Sequence, residues 1–218
     1  MRLYLSSYRL GDHVDRLRQL LPPRPRVAVV ANALDVYSNE ARRSHRATVY
    51  DPNAELETLG FEVADLDLRA YFAKPGPLAE RLAAVDFVWV LGGESFVLRR
   101  AMALSGFDTE IVRRLRADQL AYGGFSAGAI VATPTLRGIH LMDDPVVVPE
   151  GYPPETVWTG LGLVDFSIVP HWRSDHPEAA TAEKAVAYVE QHSVHHECLA
   201  DGDVVVRSGD DIEVLRLA

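Results

Sequence analysis

The sequence predicts a single α/β domain over residues 1–218, with a mostly parallel central sheet flanked by helices and a C-terminal β-hairpin. Three observations predict it. Short Val-rich runs without polar alternation recur along the chain, as in strands covered on both faces. Segments of helical length separate them, and that alternation builds right-handed βαβ crossovers. The tail breaks the rhythm: two short apolar runs flank "SGDD", which reads as an antiparallel hairpin at a sheet edge.

Taken in order, "LYLSS" (3–7), "RVAVVANA" (26–33), "FEVADLDL" (61–68), "DFVWVLGG" (86–93), "QLAYGGF" (119–125) and "LVDFSIVP" (163–170) are the expected strands. Residues 11–20, 39–58, 77–84, 95–105, 108–118 and 177–191 are the expected helices. Asp108-Thr109-Glu110 and His176-Pro177-Glu178 act as entry signals for the last two. The hairpin strands fall at 204–207 and 212–217. The section 133–160 is rich in Pro and Gly with little helical period, and a long irregular stretch in a compact domain is often functional.

Totals exclude several classes. A net charge of −9 argues against nucleic-acid binding, which needs basic clusters to neutralise phosphates. Charges within the first dozen residues, with no long apolar run, predict neither a signal peptide nor a membrane anchor. The single cysteine, Cys198, excludes an internal disulfide and any multi-cysteine zinc site, and suits a cytoplasmic protein.

The informative stretch is "AYGGFSAGAIVA", in which Ser126 stands between Gly124 and Gly128. Glycines on either side of a nucleophile relieve crowding where a strand turns sharply into a helix, and the turn exposes the side-chain oxygen. The same turn sets the Ala127 N–H where an oxyanion would develop. The competing reading is a plain helix cap. "FVWVLGGESF" is a second buried strand ending in glycines, and the Gly93 amide is the candidate second oxyanion donor; a simple βα turn with positive φ is the alternative.

A serine hydroxyl needs a base. Most of the histidines fall in helices or charged turns, whereas His171 follows "VDFSIVP" at the end of an apolar strand. Asp201 in "LADGD" stands at another strand end and is the expected partner that holds the imidazole; Asp143, Asp144 and Asp175 are its rivals. The resulting order of Ser, His, Asp differs from the Ser, acid, His order of α/β-hydrolases. The "HSVHHE" run at 192–197 lacks a defined ligand geometry for metal.

Together "VLGGESF", "GGFSAGAIVATPTLR", "IVPHW" and "LADGD" resemble the peptidase E (aspartyl dipeptidase) and cyanophycinase family of serine peptidases, in order and spacing along most of the chain. The resemblance implies a class I glutamine amidotransferase-like, flavodoxin-like fold, with Ser126 as nucleophile where the amidotransferases carry cysteine. It implies His171 as base, Asp201 as acid where the family usually has Glu, and Gly93 and Ala127 as oxyanion donors. An aspartate soon after the nucleophile, here Asp143 or Asp144, is the family's other candidate acid. Arg137 matches an arginine of the family, and with Arg173 it is the expected partner of a substrate carboxylate. Glu94 replaces the usual Asn, where it would repel an acidic side chain or bind a free α-amino group, and Phe125 replaces an indole. The implied activity is removal of the N-terminal residue from dipeptides or short peptides, Asp-X among them. No metal or organic cofactor is implied, and the partner is a small peptide, with neither nucleic acid nor membrane. A monomer and a homodimer remain open. The alternatives are a cyanophycinase-like hydrolase of β-aspartyl-arginine and a non-catalytic small-molecule binding module on the same fold.

Overall fold

In chain order the computed structural model, which describes residues 1–216, forms β1 (Arg2–Ser6), α1 (Val14–Gln19), β2 (Arg26–Val30), α2 (Asn39–Thr48), α3 (Pro52–Thr58), β3 (Glu62–Asp65), α4 (Pro75–Ala83), β4 (Phe87–Val90), α5 (Ser95–Ser105), α6 (Phe107–Arg116), β5 (Ala121–Phe125), α7 (Ala127–Ile130), β6 (Ser167–Val169), α8 (Ala179–Gln191), β7 (His196–Cys198), β8 (Val204–Ser208) and β9 (Asp211–Leu215). Seven of these strands make one sheet in the order β3-β2-β4-β5-β1-β8-β9. The first five run parallel, and β8 and β9 close the sheet as the antiparallel hairpin. Residue 217, placed in the last strand from sequence, lies outside the described residues.

Why the central strands lack polar alternation is plain from their two faces. Phe87 and Trp89 of β4 point with Tyr4, Val27, Val29 and Val204 into a core covered by Leu17 of α1 and Leu56 of α3. Val88 and Val90 point the other way with Leu3, Leu5 and Val30, under Val97, Leu98 and Ala101 of α5 and Ile111 and Leu115 of α6. Both faces are therefore dry, as a parallel sheet requires. The edge strand β3 departs from this: none of its four residues is buried.

Four sequence expectations need correction. The helix expected over 39–58 is two helices, because Pro52 disfavours helical geometry at Asp51. Asp51 instead caps α3, its side chain accepting from the Asn53 N–H at 3.0 Å, with Pro52 at the first helical position. At α6 the entry residue is Gly106 at φ 73° rather than Asp108, and α8 begins at Ala179 with no side-chain cap. The strand expected over 163–170 shrinks to β6 and leaves the main sheet, pairing in parallel with β7. That pairing is the one with functional consequences.

The irregular section holds together through two buried arginines of α5. The Arg100 guanidinium donates to the carbonyls of Val147 at 2.8 Å, Glu155 at 2.9 Å and Pro145 at 2.6 Å. Arg99 donates to the Thr159 carbonyl at 2.7 Å and pairs with Asp108 at 2.9 Å. A segment with few backbone partners of its own thus satisfies its carbonyls with side chains.

Candidate active site

Parallel strands put their carboxyl ends on one rim, where open α/β sheets collect ligands. Here the neighbouring strands β4, β5 and β1 deliver Gly92-Gly93, Ser126 and Ser7 to that rim side by side. Ser126 has φ 48° and ψ −114°, a conformation that L-residues rarely adopt and that costs about 1–3 kcal/mol. The flanking glycines make this turn possible by close approach. A Cβ on Gly124 would lie 2.8 Å from the Val90 carbonyl oxygen, and one on Gly128 would lie 2.3 Å from the same atom. Gly123, earlier in the strand, leaves room for the rings of Phe87 and Trp89.

The second sheet supplies the imidazole and its partner. β6 and β7 run in parallel register, Val169 opposite Cys198. Continuing past both ends brings His171 and Asp201 together, with His171 Nδ1 at 2.7 Å from Asp201 Oδ1. His171 is buried and sits at φ 60°, a second strained backbone on the rim. Burial opposes ionisation of Asp201, but its hydrogen bonds to His171 and Ser7 outweigh it and leave the carboxyl below its ordinary range.

Ser7 joins all three segments. Its carbonyl accepts the Ser126 N–H at 3.1 Å, its hydroxyl accepts the His171 N–H at 2.8 Å, and that hydroxyl donates to Asp201 Oδ1 at 2.9 Å. Sequence reading missed this residue. Its one signal was position: a small polar side chain directly after the apolar run of β1.

Ser126, His171 and Gly93 line one cavity of about 530 Å³, shared with Tyr8, Arg9 and Glu178. Gly93 turns at φ 130°. Neither its N–H nor that of Ala127 has an acceptor among the described residues. Gly92 packs against Ser126, a Cβ there coming within 3.1 Å of the serine Cβ. The two glycine-bearing turns therefore face one another. His176, also missed from sequence, stacks on His171 with ring centroids 3.7 Å apart and 7° between planes. Burial and the neighbouring imidazole lower its pKa, so it favours the neutral form.

Three expected substrate residues stand elsewhere. Arg137 is exposed and lies over the Trp158 ring at 5.1 Å. Arg173 is 70% exposed, lies over Trp172 at 4.2 Å and reaches Glu183 at 3.7 Å. Neither lines the cavity, because both follow turns that aim outward over indole faces. Glu94 does not line the cavity and lies half-buried beside Asp143. The rival acids are also accounted for: Asp143 accepts the Ser95 N–H at 3.0 Å, Asp144 accepts the Val146 N–H at 3.0 Å, and Asp175 is exposed.

Burial and the Asp143 charge push Glu94 up to about 7, and burial pushes Asp143 up to about 6. A carboxyl held protonated in the fold and released near 4.5 when unfolded makes the native state lose stability as pH rises from about 4.5 through about 7. Below that window the cost is absent. Glu94→Gln is therefore expected to raise the melting temperature at pH 8 and leave it nearly unchanged at pH 4. An equal gap at both pH values in calorimetry would refute this origin.

His171, His176 and Glu178 place one potential ligand atom each within 4.8 Å of one another. The set suits a cation poorly. His176 Nδ1 accepts the Glu178 N–H at 3.2 Å, which assigns the proton of neutral His176 to Nε2 and leaves that ring no free lone pair for a metal. Among the described residues the 192–197 run forms no such cluster.

A parallel sheet with a strained serine at one strand end and a carboxylate-paired histidine across the rim is the build of a serine-type peptidase. The family model for Peptidase family S51 matches residues 25–215. The chain belongs to that family. A peptidase E of Streptomyces coelicolor is 32% identical over 206 residues, covering 92% of this chain and 75% of the relative. A probable alpha-aspartyl dipeptidase of Drosophila melanogaster is 34% identical over 185 residues, covering 84% and 69%. Among solved structures, a candidate peptidase E from Listeria monocytogenes EGD-e superposes with a TM-score of 0.80 at 25% identity, covering 100% of this chain and 98% of the other. Its agreement extends through the mostly parallel sheet. Among the described residues no helix is long and apolar enough to cross a membrane.

Proposed function

We propose that this peptidase removes the N-terminal residue from dipeptides or short peptides, Asp-X among them, by an acyl-enzyme route in the cytoplasm. The observation that carries the reading is the 2.7 Å contact between His171 Nδ1 and Asp201, in a cavity shared with the strained Ser126.

With Nδ1–H held by Asp201, His171 keeps its Nε2 lone pair free as the base. It takes the Ser126 proton as Oγ attacks the scissile carbonyl, and Asp201 stabilises the imidazolium that forms. The amides of Gly93 and Ala127, free of acceptors among the described residues, receive the oxyanion. His171 Nε2–H then protonates the leaving amine, and a water activated by the same nitrogen releases the acyl group. The names of the relatives from Streptomyces and Drosophila support the dipeptidase reading.

Incubation with Asp-Leu, Ala-Leu, Leu-Leu and a β-aspartyl-arginine dipeptide, with and without EDTA, tests it by release of free amino acids. The expected result is EDTA-insensitive cleavage of α-linked dipeptides. Cleavage of the β-linked substrate alone would replace the reading with a cyanophycinase-like one, and activity lost with EDTA and restored by added metal would refute the serine route.

A further inference from the structure

Five arginines line the cavity, and three of them are already paired. Arg42 bonds Asp35 at 2.7 Å, Arg46 bonds Asp51 at 2.9 Å and Asp65 at 3.1 Å, and Arg69 bonds Asp67 at 2.7 Å. Arg9 is different. It lines the same cavity, its Nε is buried without a hydrogen-bond partner, and no carboxylate pairs with it among the described residues. A fifth lining arginine, Arg43, is also unpaired but is exposed, where water solvates it.

The Arg9 guanidinium is held rather than loose. Its Cζ lies 4.9 Å from the Tyr8 ring centroid and 4.3 Å from that of Tyr50, so two aromatic faces clasp the cation. Both rings meet the edge or face of Phe125, the residue before Ser126, at 6.3 and 6.2 Å. Tyr8 also packs against His171 at 6.0 Å. A fixed, unpaired cation thus stands one aromatic layer from the serine and the imidazole. Its backbone is braced too, with φ 46° and its carbonyl accepting the Ser6 hydroxyl. Burying donors without acceptors is costly, and the natural acceptor for a planar guanidinium is a carboxylate.

The geometry points to Arg9 as the receptor for a substrate carboxylate, which makes it the specificity-determining residue of this cavity in place of Arg137 and Arg173. The inference deepens the dipeptidase reading and rests on it. Glu178, which lines the same cavity, has Oε2 3.8 Å from His171 Nε2, so the site offers an anion by the imidazole as well as the free cation of Arg9. A zwitterionic short peptide matches that polarity. Two carboxylates could be the one held: the acidic side chain of the N-terminal residue or the C-terminal group of the leaving residue.

Calorimetry in the Ser126→Ala background tests the binding without needing turnover. The ligands are Ala-Ala, with only a C-terminal carboxylate, aspartic acid α-amide, with only a side-chain carboxylate, and Ala-Ala amide, with none. Adding Arg9→Met keeps the stem between the tyrosines and removes the charge; Arg9→Lys keeps the charge without the fork. Loss of a charge-assisted pair is expected to weaken the carboxylate ligand about 10- to 100-fold in Arg9→Met, less in Arg9→Lys, and to leave Ala-Ala amide unchanged. Which of the two carboxylate ligands responds identifies the source. Equal weakening of all three ligands, no weakening of either carboxylate ligand, or no carboxylate binding to the Ser126→Ala parent would each overturn the assignment. If Ser126→Ala still hydrolyses peptides, the catalytic reading fails while the Arg9 measurement stands on its own.

Discussion

Replacing Ser126 with alanine is expected to lower kcat for dipeptide hydrolysis about 10⁶-fold, to the level left by binding and oxyanion stabilisation alone. The size of the effect follows from the division of labour at the rim. Without Oγ there is no acyl-enzyme, and His171, however well held by Asp201, has nothing to deprotonate but water. Gly124 and Gly128 let the strained turn at Ser126 pack against the Val90 carbonyl, and alanine, which keeps the serine Cβ, takes the same φ and ψ, so folding is preserved. Unchanged circular dichroism and melting temperature alongside lost activity are the expected pair of results. Retained activity above a few per cent would show that another group carries the chemistry.

Asp201→Asn should have the second-largest effect, a loss in kcat of about 10⁴-fold with little change in KM. Asparagine can donate to His171 Nδ1, which pushes the imidazole proton to Nε2 and leaves the base facing Ser126 with no lone pair. It also removes the charge that stabilises the imidazolium. Asp143→Asn is the decisive control. Asp143 faces the Ser95 N–H, and its carboxyl stays protonated up to about pH 6, so it serves the start of α5 rather than the imidazole. A loss under 10-fold is expected there. If Asp143→Asn proves the more damaging of the two, the acid has been misassigned and the 2.7 Å contact is a structural one.

Much of the fold was legible because strands covered on both faces must be apolar at every position. β2, β4 and β5 could be read from "RVAVV", "FVWV" and "AYGGF" with no knowledge of their neighbours. Ser126 was legible for a local reason: two glycines around one serine serve a turn that few other sequences permit. His171 and Asp201 were each visible as polar residues at the end of an apolar run. Their partnership was not, since it depends on β6 and β7 pairing with each other outside the main sheet, and three-residue strands carry no periodicity to announce that. The arginines show the opposite failure. Arg137 and Arg173 sit beside motif residues in sequence, yet turns send both outward onto Trp158 and Trp172. Arg9, eight residues into the chain from Met1 and far from any motif, reaches the cavity because β1 lies beside β5 in the sheet.

By itself, then, the sequence determined the class of fold and marked Ser126 as the candidate nucleophile, because hydrophobic covering and backbone strain act between residues close in the chain. Tertiary structure alone decided which acid holds the histidine, that Ser7 ties the three segments together, and that the Arg9 Nε is buried in the cavity with no partner among the described residues. Those are matters of partnership across 30 to 194 residues of chain, from His171 with Asp201 to Ser7 with Asp201, where only the order of strands in space sets who meets whom.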